Sequence, residues 1–70
     1  MKKQINIQAT EQGQKYFFIY EVRAKKHNGE IITHDRYFNE KEANNSLEFA
    51  EKVHKKLYRN LWIMKQIVWI

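Results

Sequence analysis

Three histidines and thirteen Lys or Arg side chains are the residues of this 70-residue chain best equipped for chemistry. Imidazoles hold metals or move protons only where a second ligand or a carboxylate converges on them at a fixed spacing. His27 falls at a predicted hairpin tip, His34 in a strand and His54 on the apolar stripe of a helix, and none has such a partner on its own element. His34 and Asp35 are adjacent, which in a strand turns them to opposite faces. His54 reads as a boundary histidine at the edge of the core. The chain has no Cys, and its two glycines, Gly13 and Gly29, are both spent in turns. No nucleophile elbow, phosphate-binding glycine loop or HExxH pair occurs. These residues predict a protein that is not an enzyme and takes no cofactor and no metal.

The basic residues carry the stronger signal. Thirteen Lys and Arg against eight Asp and Glu give a net charge of +5. A field of that sign draws nucleic acid, an anionic membrane or an acidic protein surface. Two patches are expected. Arg23 and Lys25 share one parity of a strand, continued by Lys26 and His27 at the hairpin tip, with Phe17 and Ile19 farther along the same face; Arg36, just ahead of the Phe that precedes the helix, is a further candidate. Cations interleaved with apolar rings on a sheet can hold phosphates while bases stack or a groove is read. A helix offers the second patch, Lys52, Lys55, Lys56 and Arg59, able to follow a phosphate backbone.

Elements that position these groups follow from periodicity. Ile5, Ile7 and Ala9 alternate with polar residues as in a half-buried strand, and Glu11-Gln12-Gly13-Gln14 makes a turn. Residues 16–25 form the expected central strand, with Tyr16, Phe18, Tyr20, Val22 and Ala24 on one parity. Asn28-Gly29 predicts a hairpin, since both residues tolerate positive φ. A two-residue loop would pair Glu21 with Arg36 and Tyr20 with Tyr37 but place Asp35 beside Val22. A three-residue loop, His27-Asn28-Gly29, would pair Ala24 with Ile32 and Phe18 with Phe38 and set Glu21 against Asp35. Burial of the apolar row favours the three-residue loop.

Phe38-Asn39-Glu40-Lys41-Glu42-Ala43 opens a helix, with Asn39 as cap, Glu42 completing a capping box and Phe38 with Ala43 as staple. The stripe Ala43, Leu47, Ala50, His54, Leu57 and Leu61 predicts a helix over residues 40–59, stopped by a left-handed Asn60. Residues 61–70 are apolar in every helical direction and therefore read as a strand. Both its faces are apolar, which marks either an inner strand covered on two sides or an interface. Trp62, Met64, Val68 and Ile70 share one parity, which a single helix cannot cover together with the other. This row is the candidate protein interface, with a second copy as one occupant. The fold class is α+β, in the order βββαβ: an antiparallel three-stranded meander, one helix on one face and a C-terminal strand. A right-handed crossover would lay that strand parallel to and beside the first, in the order 3-2-1-4.

Seventy residues give one small domain, residues 1–70, with a single core and no disulfide staple. Met1-Lys2-Lys3 leads into alternating residues rather than an apolar signal core, and no run approaches a membrane span. A soluble cytoplasmic protein that does not enter a membrane is the expectation.

Residues 5–58 also resemble a known family. A short first strand, a Gly-containing turn, the aromatic strand Lys15-Tyr16-Phe17-Phe18-Ile19-Tyr20, the Asn28-Gly29-Glu30 hairpin and the helix opening Tyr37-Phe38-Asn39-Glu40-Lys41-Glu42-Ala43 are similar to the AP2-like arm-type DNA-binding domain of phage and transposon tyrosine integrases. The resemblance implies a sheet that enters the major groove with the helix behind it, and places Arg23, Lys25 and Lys26 near DNA. A rival class is a small phage or mobile-element protein that docks on a host enzyme through its apolar C-terminal strand, steered by charge toward an acidic partner.

Overall fold

A computed structural model describes residues 5–70. Met1, Lys2, Lys3 and Gln4, on which the expectation about the chain start partly rests, lie outside the described residues. Five elements follow in order: β1 (Gln8–Ala9), β2 (Lys15–Lys26), β3 (Ile31–Tyr37), α1 (Glu40–Val53) and β4 (Tyr58–Trp69). The fold is α+β, one helix against a four-stranded antiparallel sheet.

β2 is the axis of the sheet. β1 and β3 share one of its edges: β1 pairs at Lys15 and Tyr16, and β3 at Tyr20 through Lys25. β4 takes the other edge and pairs antiparallel from Tyr16↔Trp69 to Lys26↔Tyr58. The 3-2-1-4 order is thereby corrected. β4 runs in the same sense as β1, but β2 lies between them. With two residues, β1 offers too short a ladder to support a twelve-residue strand, whereas β2 is itself twelve residues long. An inner position for the apolar tail is corrected too, since β4 is an edge strand.

The two hairpin registers foreseen from Asn28-Gly29 both occur. The Lys26 N–H donates to the Glu30 carbonyl at 2.8 Å, closing the three-residue loop His27-Asn28-Gly29, with Gly29 at φ +92°. Arg23↔Thr33, Ala24↔Ile32 and Lys25↔Ile31 follow that register. A bulge at His34 then shifts the ladder to Val22↔Asp35, Glu21↔Arg36 and Tyr20↔Tyr37. Opposition of Glu21 to Asp35, and of Phe18 to Phe38, is thus corrected. One extra residue in an edge strand keeps the apolar pairing near the loop and the ion pair at the base. Asp35, opposite Val22, stays exposed and accepts from the Tyr37 hydroxyl at 2.6 Å and from the Arg36 N–H at 2.9 Å.

Asn39 caps α1, its Oδ1 accepting from the N–H groups of Lys41 and Glu42 at 2.8 and 3.3 Å. The helix ends at Val53, earlier than the stripe through Leu57 and Leu61 predicts. His54 closes it by donating its N–H to the Ala50 carbonyl at 2.8 Å, and residues 54–57 turn into β4. Tyr58 and Asn60 are needed as strand partners of Lys26 and Lys25, and pairing along all of β2 outweighs the six further residues of helix that the stripe predicts. Asn60 is no left-handed stop. It lies in β4, and no described non-glycine residue has positive φ.

Cross-strand partners share a face. Tyr16, Phe18, Tyr20, Val22, Ala24 and Lys26 of β2 therefore stand with Trp69, Ile67, Lys65, Ile63 and Leu61 of β4. α1 packs on this face: His54 at its end meets the ring of Tyr58, the partner of Lys26, and Val22 and Ala24 are fully buried with Ala43 and Ala50. Alanines at the contact bring the helix axis close to the sheet. The opposite face carries Lys15, Phe17, Ile19, Glu21, Arg23 and Lys25, with Val68, Gln66, Met64 and Trp62 beside them. The described chain is a thin slab, 46 × 27 × 14 Å. That thickness holds one helix layer and one sheet layer, so the second sheet face is open.

Candidate functional site: the open face of the sheet

Along β2 the open face reads Lys15, Phe17, Ile19, Glu21, Arg23, Lys25. At about 3.3 Å per residue this row is roughly 33 Å long, with cations at both ends and apolar side chains between. Phe17 meets Phe38 edge-on at 5.8 Å between ring centres, which anchors the ring opposite the helix. Trp62 lies across from Arg23 and Met64 across from Glu21.

Glu21 organises the centre of this face. It is 4% exposed, and two guanidiniums bind it: Arg36 Nε donates to Oε2 at 2.7 Å and Arg23 donates to Oε1 at 3.0 Å. The Arg36 hydrogen bond, aided by Arg23 and opposed by desolvation, holds its carboxyl below the usual 4.5. One carboxylate thus fixes two arginines in place. Arg23 Nε is buried without a hydrogen-bond partner. The strand residues of this face carry Lys15, Arg23, Lys25 and Arg36 against the single acid Glu21, so the face remains cationic.

The predicted basic residues are not all brought together. Arg23, Lys25 and Arg36 share the open face. Lys26 alternates to the helix side and lies 3.9 Å from Glu30. His27 donates from Nε2 to the Lys56 carbonyl at 2.9 Å, tying the hairpin tip to the turn after α1. Lys52, Lys55 and Arg59 line a shallow cleft of about 530 Å³ on the helix side, where Glu48 and Glu51 offset the charge. The hairpin and helix patches are therefore two separate surfaces. Of the predicted apolar row, Trp62, Met64 and Val68 stand on the open face, and Ile70 follows β4 in the same parity.

Lys15 was the residue that sequence reasoning passed over. Its parity with Phe17 and Arg23 is readable, but the periodicity starts the expected strand one residue later, at Tyr16. His34 and His54 also come together, 5.6 Å between ring centres, with Tyr58 edge-on to both. They belong to different elements, so no spacing could reveal the pair. Among the described residues no group of three or more His, Asp or Glu is placed to hold a metal, and no helix is long and apolar enough to cross a membrane.

No family model, no curated protein and no solved structure matches the chain.

Proposed function

We propose that this protein is a non-enzymatic nucleic-acid-binding module that holds its ligand on the sheet face opposite α1. One observation carries the reading: the open face sets Lys15 at one end and Arg23, Lys25 and Arg36 toward the other, with Phe17, Ile19 and Trp62 among them. Cations at the ends neutralise phosphates, and rings between them give bases a surface to stack on. The same side of the molecule, away from the helix, meets DNA in the integrase arm-type domains that residues 5–58 resemble. Uncovered rings on a flat sheet face favour a single strand laid across it.

The test is fluorescence anisotropy with single-stranded and duplex oligonucleotides over a range of salt. Binding should weaken steeply with salt, and Lys25→Ala should reduce the log-log slope by about 0.7 for a single strand. Lys26→Ala, on the other face, should leave the slope unchanged. Absence of binding at low salt, or equal effects of the two substitutions, overturns the assignment.

A second reading is a protein-interaction module of the kind made by phages or mobile elements against host enzymes. Trp62, Met64 and Val68 favour it, because they add apolar area to the same cationic face, and an acidic protein surface would then be the partner.

A further inference from the structure

We infer that two copies of this chain join through the free edge of β4, antiparallel across a two-fold axis at Gln66, and fuse their sheets into one. The direction of the backbone groups is the first ground. The Ile70 N–H donates to the Lys15 carbonyl at 3.0 Å, one step beyond the Tyr16↔Trp69 pair. Hydrogen-bonded pairs in an antiparallel ladder recur every second residue. Even-numbered residues of β4 therefore bond to β2. Ile63, Lys65, Ile67 and Trp69 turn their N–H and C=O groups outward, where the described chain supplies no strand; the Leu61 N–H, at the start of this edge, is taken by Asn60 Oδ1 at 3.0 Å.

Contrast between the two sheet edges is the second ground. The outer edge of β3 is blunted by the His34 bulge and by Asp35 and Arg36. From Leu61 to Trp69, β4 has no bulge, no proline and one charged residue, Lys65. Its end is unusually exposed for apolar residues: Ile67 is 52%, Trp69 53% and Ile70 68% accessible. A strand template of this kind is completed by another strand.

Self-complementarity selects a second copy as that strand. Centring the two-fold axis on Lys65 would set Lys65 against itself, a like-charge pair. Centring it on Met64 would set Asn60 against Val68 and Arg59 against Trp69. With the axis at Gln66, Met64 meets Val68, Trp62 meets Ile70, Ile63 meets Trp69 and Lys65 meets Ile67, while the two Gln66 amides face each other and can hydrogen-bond. The same patch serves both copies, as an isologous interface requires. Antiparallel neighbours present like faces to the same side, so the two open faces would form one surface. The edge lies in the plane of the sheet, so this assembly does not depend on what the open face binds.

Sedimentation equilibrium at micromolar concentration should show a dimer. Ile67→Pro removes an outward N–H and no bond to β2, so it should give a monomer that keeps its circular dichroism. Should that variant fail to fold, a charge pair decides the matter. Ile67→Glu sets an acid opposite Lys65 of the second copy, twice per dimer, and should dimerise about tenfold more tightly than Ile67→Lys. A monomeric wild type, a dimer that survives Ile67→Pro, or equal affinities for the Glu and Lys variants overturns the inference.

Discussion

Glu21 is the residue on which the open face turns, and its ionisation couples to folding. The Arg36 and Arg23 contacts hold its folded pKa below the ordinary 4.5, so the unfolded chain takes up a proton first as pH falls. Stability from this group is complete above about pH 4.5 and is lost as pH drops through the folded value. Urea midpoints measured from pH 7 to pH 3 should therefore fall less steeply for Glu21→Gln than for wild type. At pH 7 the same substitution should cost about 2 kcal/mol, because two guanidiniums lose a charged acceptor and one of them is partly buried. Arg36→Ala should cost less, since Arg36 is largely exposed and Glu21 keeps Arg23. The sequence held this pair in one of two registers, so its chemistry was legible and its certainty was not. Arg23 and Lys25 were legible as a row by parity alone. Glu21 as their organiser was not, because a strand pattern gives the face of a residue and not which partners bend toward it.

Element scale shows where local signals suffice. The Asn39 cap, the start of α1 and the central role of β2 were all readable, because each rests on neighbours within a few residues. The end of α1 was not. Its stripe continues through Leu57, and only pairing of Tyr58 and Asn60 with a strand more than thirty residues earlier in the chain ends it at Val53. The position of β4 was misread for a similar reason: crossover handedness constrains parallel neighbours, whereas β4 has an antiparallel one. α1 rests on the sheet through Ala43 and Ala50, both fully buried beside Val22 and Ala24. Nothing larger fits without lifting the helix. Ala50→Leu should therefore destabilise the fold by about 1–3 kcal/mol, read as a lower urea midpoint with unchanged slope, although leucine is the better packed residue in most cores. Lys52→Ala, on the exposed side of the same helix, should stay within about 0.5 kcal/mol of wild type.

At the scale of the whole molecule, the slab is 14 Å thick, and among the described residues the one large side chain that is fully buried is Val22. Cohesion comes chiefly from the ladder between β2 and β4. That ladder joins residues as far apart in the chain as Tyr16 and Trp69 and as near as Lys26 and Tyr58. Time is the quantity this affects. Every bond in the ladder closes a loop of more than thirty residues, so the entropy of closure is spent before the contacts repay it. Refolding in stopped flow should accordingly take milliseconds to seconds rather than the microseconds of a helical bundle. With no proline in the chain, it should lack a phase of tens of seconds. During synthesis the order is harsher. β2 leaves the ribosome with its aromatic faces formed, and roughly forty residues must follow before its partner is complete, which at about 5–20 residues per second is an interval of seconds. For that interval the Tyr16-to-Tyr20 run is an uncovered strand, and a chaperone that binds short apolar segments would find it there.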